Sequence, residues 1–189
     1  MSIAKAAVNA LILNNIINPS MRNHYEYAIE VMMERILSLA SICLMAICFG
    51  KLIPAVLFSG FFLLLRRHTG GYHAKSFIIC YVESMTTFSV IMLLGDLVVS
   101  YRILINIGLF LSFIIIMFVG TVNHPNMNFD EKELRESKKS ARYVLMLEIF
   151  IILSLDFIGA SERYLGFMSF GIILCAMSIV MAKVSKQEV

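Results

Sequence analysis

Apolar residues in this chain come in long runs separated by short polar stretches. At the N-terminus, Ile3, Ala6, Ala7, Ala10, Leu11, Leu13 and Ile17 fall near one helical face, and Lys5, Asn9 and Asn15 lie off it. That spacing predicts an amphipathic helix over residues 1–17 lying in a membrane interface. Asn18-Pro19-Ser20 ends it, and Ser20 can cap a second helix. Residues 22–35 are mixed, with Glu26, Glu30 and Glu34 repeating every four residues as one acidic stripe, either a solvated face or a contact for a basic partner. Apolar runs follow at 36–50, 52–65, 76–95, 103–121, 143–158 and 164–182. The first two are broken from each other by Lys51 and Pro54. Each is short of the roughly 20 residues a span needs, so together they read as two spans or as one hairpin dipping into the bilayer. A dense polar, glycine-rich stretch at 66–75, a short turn at 96–102, a long polar loop at 122–142 and a turn at 159–163 separate the later runs. The predicted fold is all-α: a polytopic helical membrane protein in one domain, residues 1–189, with four to six transmembrane helices plus the N-terminal interfacial helix.

Composition supports this and removes the alternatives. Of the 189 residues, 59% are hydrophobic and 15% charged, against about 45–50% and about 25% in ordinary soluble domains. Such a surplus needs lipid as its solvent, which excludes a soluble globular domain, a disordered chain and a disulfide scaffold. The first residues do not read as a secretory signal peptide, since Asn9, Asn14 and Asn15 interrupt the apolar stretch. Cys43, Cys48, Cys80 and Cys175 form no CxxC pair and no zinc-ribbon spacing.

The charges also have a direction. If 66–75 is cytoplasmic and the later spans alternate, the inside set is Arg66, Arg67, Lys75, Lys132, Arg135, Lys138, Lys139, Arg142, Lys183 and Lys186, and the outside set is Arg102 and Arg163, ten against two. The positive-inside rule therefore puts the glycine-rich stretch and the 122–142 loop on the cytoplasmic side.

That stretch holds the candidate chemistry. Cys80 lies about one turn into a span, and His73 lies in the loop leading to it. A thiol in lipid is inert, but one at the interface beside a histidine and the cations Arg66, Arg67 and Lys75 can ionise and act as a nucleophile. A helix N-terminus near residues 74–76 would add to that field. Seven residues of continuous helix would hold the two side chains about 10 Å apart, too far for a hydrogen bond. A dyad therefore requires a break between them, which Gly70-Gly71 permits, or pairing across a dimer. Glu83, on the same helical face as Cys80, could orient His73 or pair with Arg66 or Arg67. Glu148 and Asp156, eight residues apart in a later span, point into the bundle or toward a cavity, and intramembrane carboxylates such as these are what a small transporter or exporter would use. A non-catalytic membrane scaffold is the third reading. His68, His73, Cys80 and His124 lack helical ligand spacing, so no metal is read, and there is no P-loop, HExxH, GxSxG or dinucleotide fingerprint. The basic residues of 132–142 are interleaved with Glu131, Glu133 and Glu136, which argues against nucleic acid as a partner.

The stretch Arg66-Arg67-His68-Thr69-Gly70-Gly71-Tyr72-His73-Ala74-Lys75, with Cys80 seven residues after the histidine, resembles the accessory gene regulator B (AgrB) family of membrane cysteine endopeptidases in quorum sensing. The later segment Asn123-His124-Pro125-Asn126-Met127-Asn128 departs from that family, keeping Pro125 and Asn126 but lacking the lysine and second proline of its pattern. The resemblance implies a bacterial cell-membrane enzyme, with its active site at the cytoplasmic side and no cofactor. It would cut the C-terminal tail from an AgrD-like propeptide and promote its closure to a thiolactone or lactone. Cys80 would be the nucleophile and His73 the general base, and Arg66 and Gly71 match positions the family needs near the site; from their place beside it Gly70 and Glu83 read as supporting residues and Arg67 and Lys75 as substrate contacts. It also implies a homodimer in the bilayer. The acidic tails of such propeptides would suit Arg66, Arg67, Lys75 and the 132–142 cluster.

Overall fold

The computed structural model describes residues 3–14, 16–72, 74, 77–123 and 129–186. It contains α1 (Ile3–Leu13), a 3-10 turn (Pro19–Met21), α2 (Arg22–Cys48), α3 (Leu52–Thr69), α4 (Phe77–Val99), α5 (Arg102–Val119), α6 (Glu131–Phe157) and α7 (Glu162–Val184), with no strand among the described residues. Among the described residues four helices are long and apolar enough to cross a membrane: Leu52–Thr69, Ile78–Val99, Arg102–Val119 and Glu162–Val184, and Ile36–Cys48 is a shorter apolar segment. The chain is a polytopic helical membrane protein.

The chain divides into two compact units, residues 1–44 and 45–189. In the first, Asn18 caps the 3-10 turn, its side chain accepting from the Ser20 N–H at 3.0 Å. Arg22 joins α2 to α1 through Asn9 (2.8 Å) and pairs with Glu26 on its own helix (2.8 Å). No glycine or proline interrupts residues 22–48, so the polar stretch and the apolar run that follows form one helix. Of the acidic stripe, the side chains of Glu30 and Glu34 lie outside the described ones.

In the second unit, α7 is the central helix. It touches α3, α4, α5 and α6, and 61% of its span is buried, against 17–28% for α3, α4 and α5. Its small residues explain the position. A Cβ on Gly171 would stand 2.8 Å from the Phe58 carbonyl and 2.8 Å from the Phe62 amide, so α3 and α7 meet backbone to backbone, the usual way helices associate where lipid offers no hydrophobic drive. Leu65, Ile116, Leu145, Ile172 and Ile179 fill the space around this seam, while Leu97, Phe110, Phe118 and Phe150 point outward, as lipid-facing side chains do.

Hydrogen bonds from Val122 to Thr69 and from Tyr72 to Ser178 bring the C-terminal parts of α3, α5 and α7 to one end of the bundle, and the ion pairs of Lys51, Arg102 and Arg163 bring their starts to the other. At that other end each cation has a carboxylate. Lys51 and Arg163 both hold Asp96 at 2.7 Å, and Arg102 holds Asp156 at 2.7 Å and Glu162 at 2.9 Å.

Three boundaries differ from the hydropathy reading. Arg66, Arg67, His68 and Thr69 are the final turn of α3, not loop, because the helix runs on until Gly70, whose amide donates to the Arg66 carbonyl at 3.1 Å. The basic residues of 132–142 lie on α6, not in a loop. Asp130 and Glu133 form a capping box there, the Glu133 N–H donating to Asp130 Oδ1 at 2.7 Å and the Asp130 N–H to Glu133 Oε2 at 3.0 Å. Residues 96–99 complete α4, leaving only Ser100 and Tyr101 as the turn.

Candidate functional site

The end of the bundle that carries the Gly-Gly stretch is organised around Arg66. It sits three residues before the end of α3, and its guanidinium has five N–H donors and no acceptor. Nη1 donates to the Gly70 carbonyl at 2.6 Å and to the Ser178 hydroxyl, and Nη2 donates to the Tyr72 carbonyl at 2.5 Å. One side chain thus grips the backbone on both sides of Gly71. The Tyr72 N–H donates in turn to the Ser178 carbonyl at 2.9 Å, fastening the loop to α7. Gly71 has φ +127°, and a Cβ there would run into Arg66 Nη1 and Ser178 Oγ. The position therefore admits glycine on two separate grounds, backbone conformation and lack of space.

Neighbouring polar groups extend this junction. Thr69 is fully buried, with its hydroxyl 3.0 Å from the Cys175 thiol and its carbonyl accepting from the Val122 N–H at 2.9 Å. The His68 carbonyl, freed at the helix end, accepts from Thr121 Oγ1 at 2.8 Å and Ser137 Oγ at 2.9 Å. Asn123 closes the next loop by exchanging two hydrogen bonds of 3.1 Å with the backbone of Phe129. The end of α3, the start of α6, the connection after α5 and the last third of α7 are thereby tied together by hydrogen bonds. Thr69 and Asn123 fall in the polar stretches the sequence singles out, but Thr121, Ser137, Cys175 and Ser178 carry no signal there, being single small residues inside or beside the apolar and charged runs. Only their shared level in the bundle makes them a group.

Cys80 lies in the first turn of α4 and is half-buried. The Arg66 guanidinium lies close enough to Cys80 and Cys175 to interact electrostatically with both. Arg67 is exposed, and His73, Lys75 and His124 lie outside the described residues. Ala74 belongs to no helix and α4 begins only at Phe77, so positions 73 and 80 are not joined by continuous helix. Gly70, Gly71 and Arg66 are brought together. Glu83 is not drawn to them: it is exposed on α4, while Arg66 is committed to carbonyls and a hydroxyl.

The later carboxylates do not converge. Asp156 pairs with Arg102 at the opposite end, beside a shallow open cleft of about 80 Å³ lined by Arg102, Asn106, Ile152, Asp156, Glu162 and Ser169 among others. Glu148 is buried at 1% exposure between Leu145 and Ile152, and neither of its carboxylate oxygens has a hydrogen-bond partner among the described residues. Among the described residues no three His, Cys, Asp or Glu side chains cluster so as to hold a metal ion.

The accessory gene regulator B family matches residues 4–180 of the chain. Accessory gene regulator protein B of Staphylococcus aureus (strain MRSA252) is 31% identical over 129 residues, covering 67% of this chain and 65% of that protein. The protein of the same name from Staphylococcus aureus (strain MW2) is 32% identical over the same shares. The chain thus spans about two thirds of the length of these relatives. No solved structure matches it. With a family match that runs through the arginine, the two glycines and Cys80 and covers nearly the whole helical bundle, the chain belongs to the accessory gene regulator B family.

Proposed function

We propose that the protein is an integral-membrane cysteine endopeptidase of the cell membrane. It removes the C-terminal tail of an AgrD-like autoinducer propeptide and promotes cyclisation of what remains. Cys80 is the nucleophile and His73 the general base. The observation that carries this reading is the half-buried Cys80 in the first turn of α4, the helix that follows a loop the Arg66 guanidinium holds at Gly70 and Tyr72 on the way to residue 73.

The reaction proceeds in two transfers. His73 takes the proton from Cys80 Sγ, and the thiolate attacks the scissile carbonyl carbon. The C–N bond breaks, His73 returns the proton to the leaving amine, and the propeptide remains as a thioester on Cys80. A thiol or hydroxyl of the propeptide then gives its proton to His73 and attacks that thioester. The ring closes as a thiolactone or lactone and Cys80 leaves as thiolate. Exchange of one thioester for another is nearly balanced in bond energy, so water must be kept from the acyl-enzyme. A nucleophile set into the bilayer edge meets that need. Arg67 and Lys75 offer charge to an acidic tail, the motif end faces the cytoplasm by the positive-inside rule, and the protein works as a homodimer.

A carboxylate-lined transport path is less well supported, because Glu83, Glu148 and Asp156 sit at different levels of the bundle and Asp156 is already paired. The deciding experiment uses vesicles containing wild type or Cys80→Ala with the short membrane-active peptide encoded nearest to this gene. Mass spectrometry follows release of a C-terminal fragment and an adduct on Cys80. Both are expected with wild type and neither with the variant. Retained cleavage in Cys80→Ala would sink the mechanism.

A further inference from the structure

We infer that Ser178, on the last helix and 112 residues from Arg66, is a positioning residue for the cleavage reaction: it seats the Arg66 guanidinium and so fixes the backbone at Gly70 and Tyr72, from which the chain enters position 73. The inference rests on the peptidase reading above.

The geometry assigns Ser178 two contacts with the loop. Its hydroxyl accepts from Arg66 Nη1, and its carbonyl accepts the Tyr72 N–H at 2.9 Å. Arg66 reaches the loop on either side of Gly71, at Gly70 O (2.6 Å) and Tyr72 O (2.5 Å). Nη1 carries two hydrogens, one used on Gly70 and one on Ser178, so the hydroxyl sets the rotation of the guanidinium plane. With that plane set, both loop carbonyls are in reach at once. No side chain at position 71 could take over, because the guanidinium and the hydroxyl occupy the space a Cβ would need.

Residue 178 is flanked by Met177 and Ile179, whose side chains offer the guanidinium no hydroxyl or carbonyl acceptor. In a bundle surrounded by lipid, a lost acceptor is poorly replaced by solvent. With alanine at 178, one guanidinium hydrogen loses its partner, Arg66 turns to find another, and the hold on Gly70 or Tyr72 weakens. The chain enters residue 73 directly from Tyr72, so looseness there becomes misplacement of the base relative to Cys80. Small misplacements of a catalytic group lower the rate of the chemical step more than substrate binding.

The test compares wild type, Ser178→Ala and Ser178→Thr in vesicles with the propeptide encoded nearest to the gene. Cleavage kinetics are measured together with iodoacetamide labelling of Cys80 in the absence of propeptide, read site by site by mass spectrometry. In Ser178→Ala, kcat is expected to fall by about tenfold, equivalent to one charge-assisted hydrogen bond, with KM unchanged. Labelling of Cys80 should slow with it, and Ser178→Thr, which keeps the hydroxyl, should recover both. A Ser178→Ala protein with wild-type kcat overturns the inference. So does a fall in which threonine rescues nothing and thermal stability drops in parallel, since that describes packing alone. If wild type itself neither cleaves the propeptide nor labels faster than His73→Ala, the peptidase reading fails and the inference with it.

Discussion

Gly71→Ala is the most informative perturbation of the folded site, because its cost can be assembled from separate observations. The backbone at 71 has φ +127°, a region that costs a residue with a Cβ about 1–3 kcal/mol. The added methyl would also overlap Arg66 Nη1 and Ser178 Oγ, and the side chain able to move is Arg66. Moving it gives up hydrogen bonds from a charged donor to Gly70 O, Tyr72 O and Ser178 Oγ, each contributing about 1.5–3 kcal/mol. Loss of one such bond together with the backbone term gives roughly 2.5–6 kcal/mol, a large part of the 5–15 kcal/mol that stabilises a typical domain. The loss should be local, since α3 and α7 remain in contact through Gly171 and the apolar seam. The expected result is a protein that still inserts and purifies as helix. Amide exchange at 70–72 should be much faster than in wild type, and propeptide cleavage should fall by at least about a hundredfold, the equivalent of some 2.7 kcal/mol. Exchange–mass spectrometry and the vesicle cleavage assay read the two parts independently. A Gly71→Ala protein with unchanged exchange at 70–72 and near-wild-type cleavage would refute the reasoning, because the guanidinium would then not occupy the space assigned to it.

Three further expectations follow from the packing. Gly171→Ala places a methyl 2.8 Å from the Phe58 carbonyl and the Phe62 amide, so α3 and α7 must part, and a loss of about 1–3 kcal/mol is expected as a lowered midpoint in thermal unfolding in detergent. Asp130→Ala removes one half of the α6 capping box, which should cost about 1 kcal/mol and appear as faster amide exchange over the first turn of α6 alone, with residues 145–157 unaffected. Glu148→Met replaces a buried carboxyl that has no hydrogen-bond partner among the described residues with an apolar side chain of similar size. The melting temperature should rise, and a fall would show that the carboxyl has a partner in the working protein.

The two ends of the bundle use charge differently. At the end away from the motif, Lys51, Arg102 and Arg163 are each matched to carboxylates at 2.7–2.9 Å, and these groups are partly exposed. Pairs of that kind contribute little each, roughly 0–1 kcal/mol, and serve to pin helix ends. At the motif end, Arg66 meets neutral acceptors instead, two carbonyls and a hydroxyl. Among the described residues no carboxylate pairs with it, Glu83 being exposed on α4.

Much of this was legible in the order of residues alone. Runs of apolar side chains long enough for a bilayer set the number and rough position of the helices, because lipid penalises any backbone left unpaired and helix is the local way to pair it. The bias of cations set which connections share an end, and Arg66, Gly70, Gly71 and Cys80 stood out by spacing. Helix ends were less legible from hydropathy, because lipid preference says nothing about where a charged helix stops. Gly70 and the Asp130–Glu133 capping box were the available signals, and they extend α3 to Thr69 and begin α6 at Glu131. What the tertiary structure alone decided is the seat of Arg66. The sequence offers Glu83 as a nearby opposite charge, three residues from Cys80. The folded bundle instead brings Ser178 from 112 residues away, because Gly171 lets α7 lie directly against α3 and carries the next two turns of α7 up to the Gly-Gly loop. Contacts of that kind depend on how closely two helices approach and at what level, a property of both surfaces together that no local run of residues encodes.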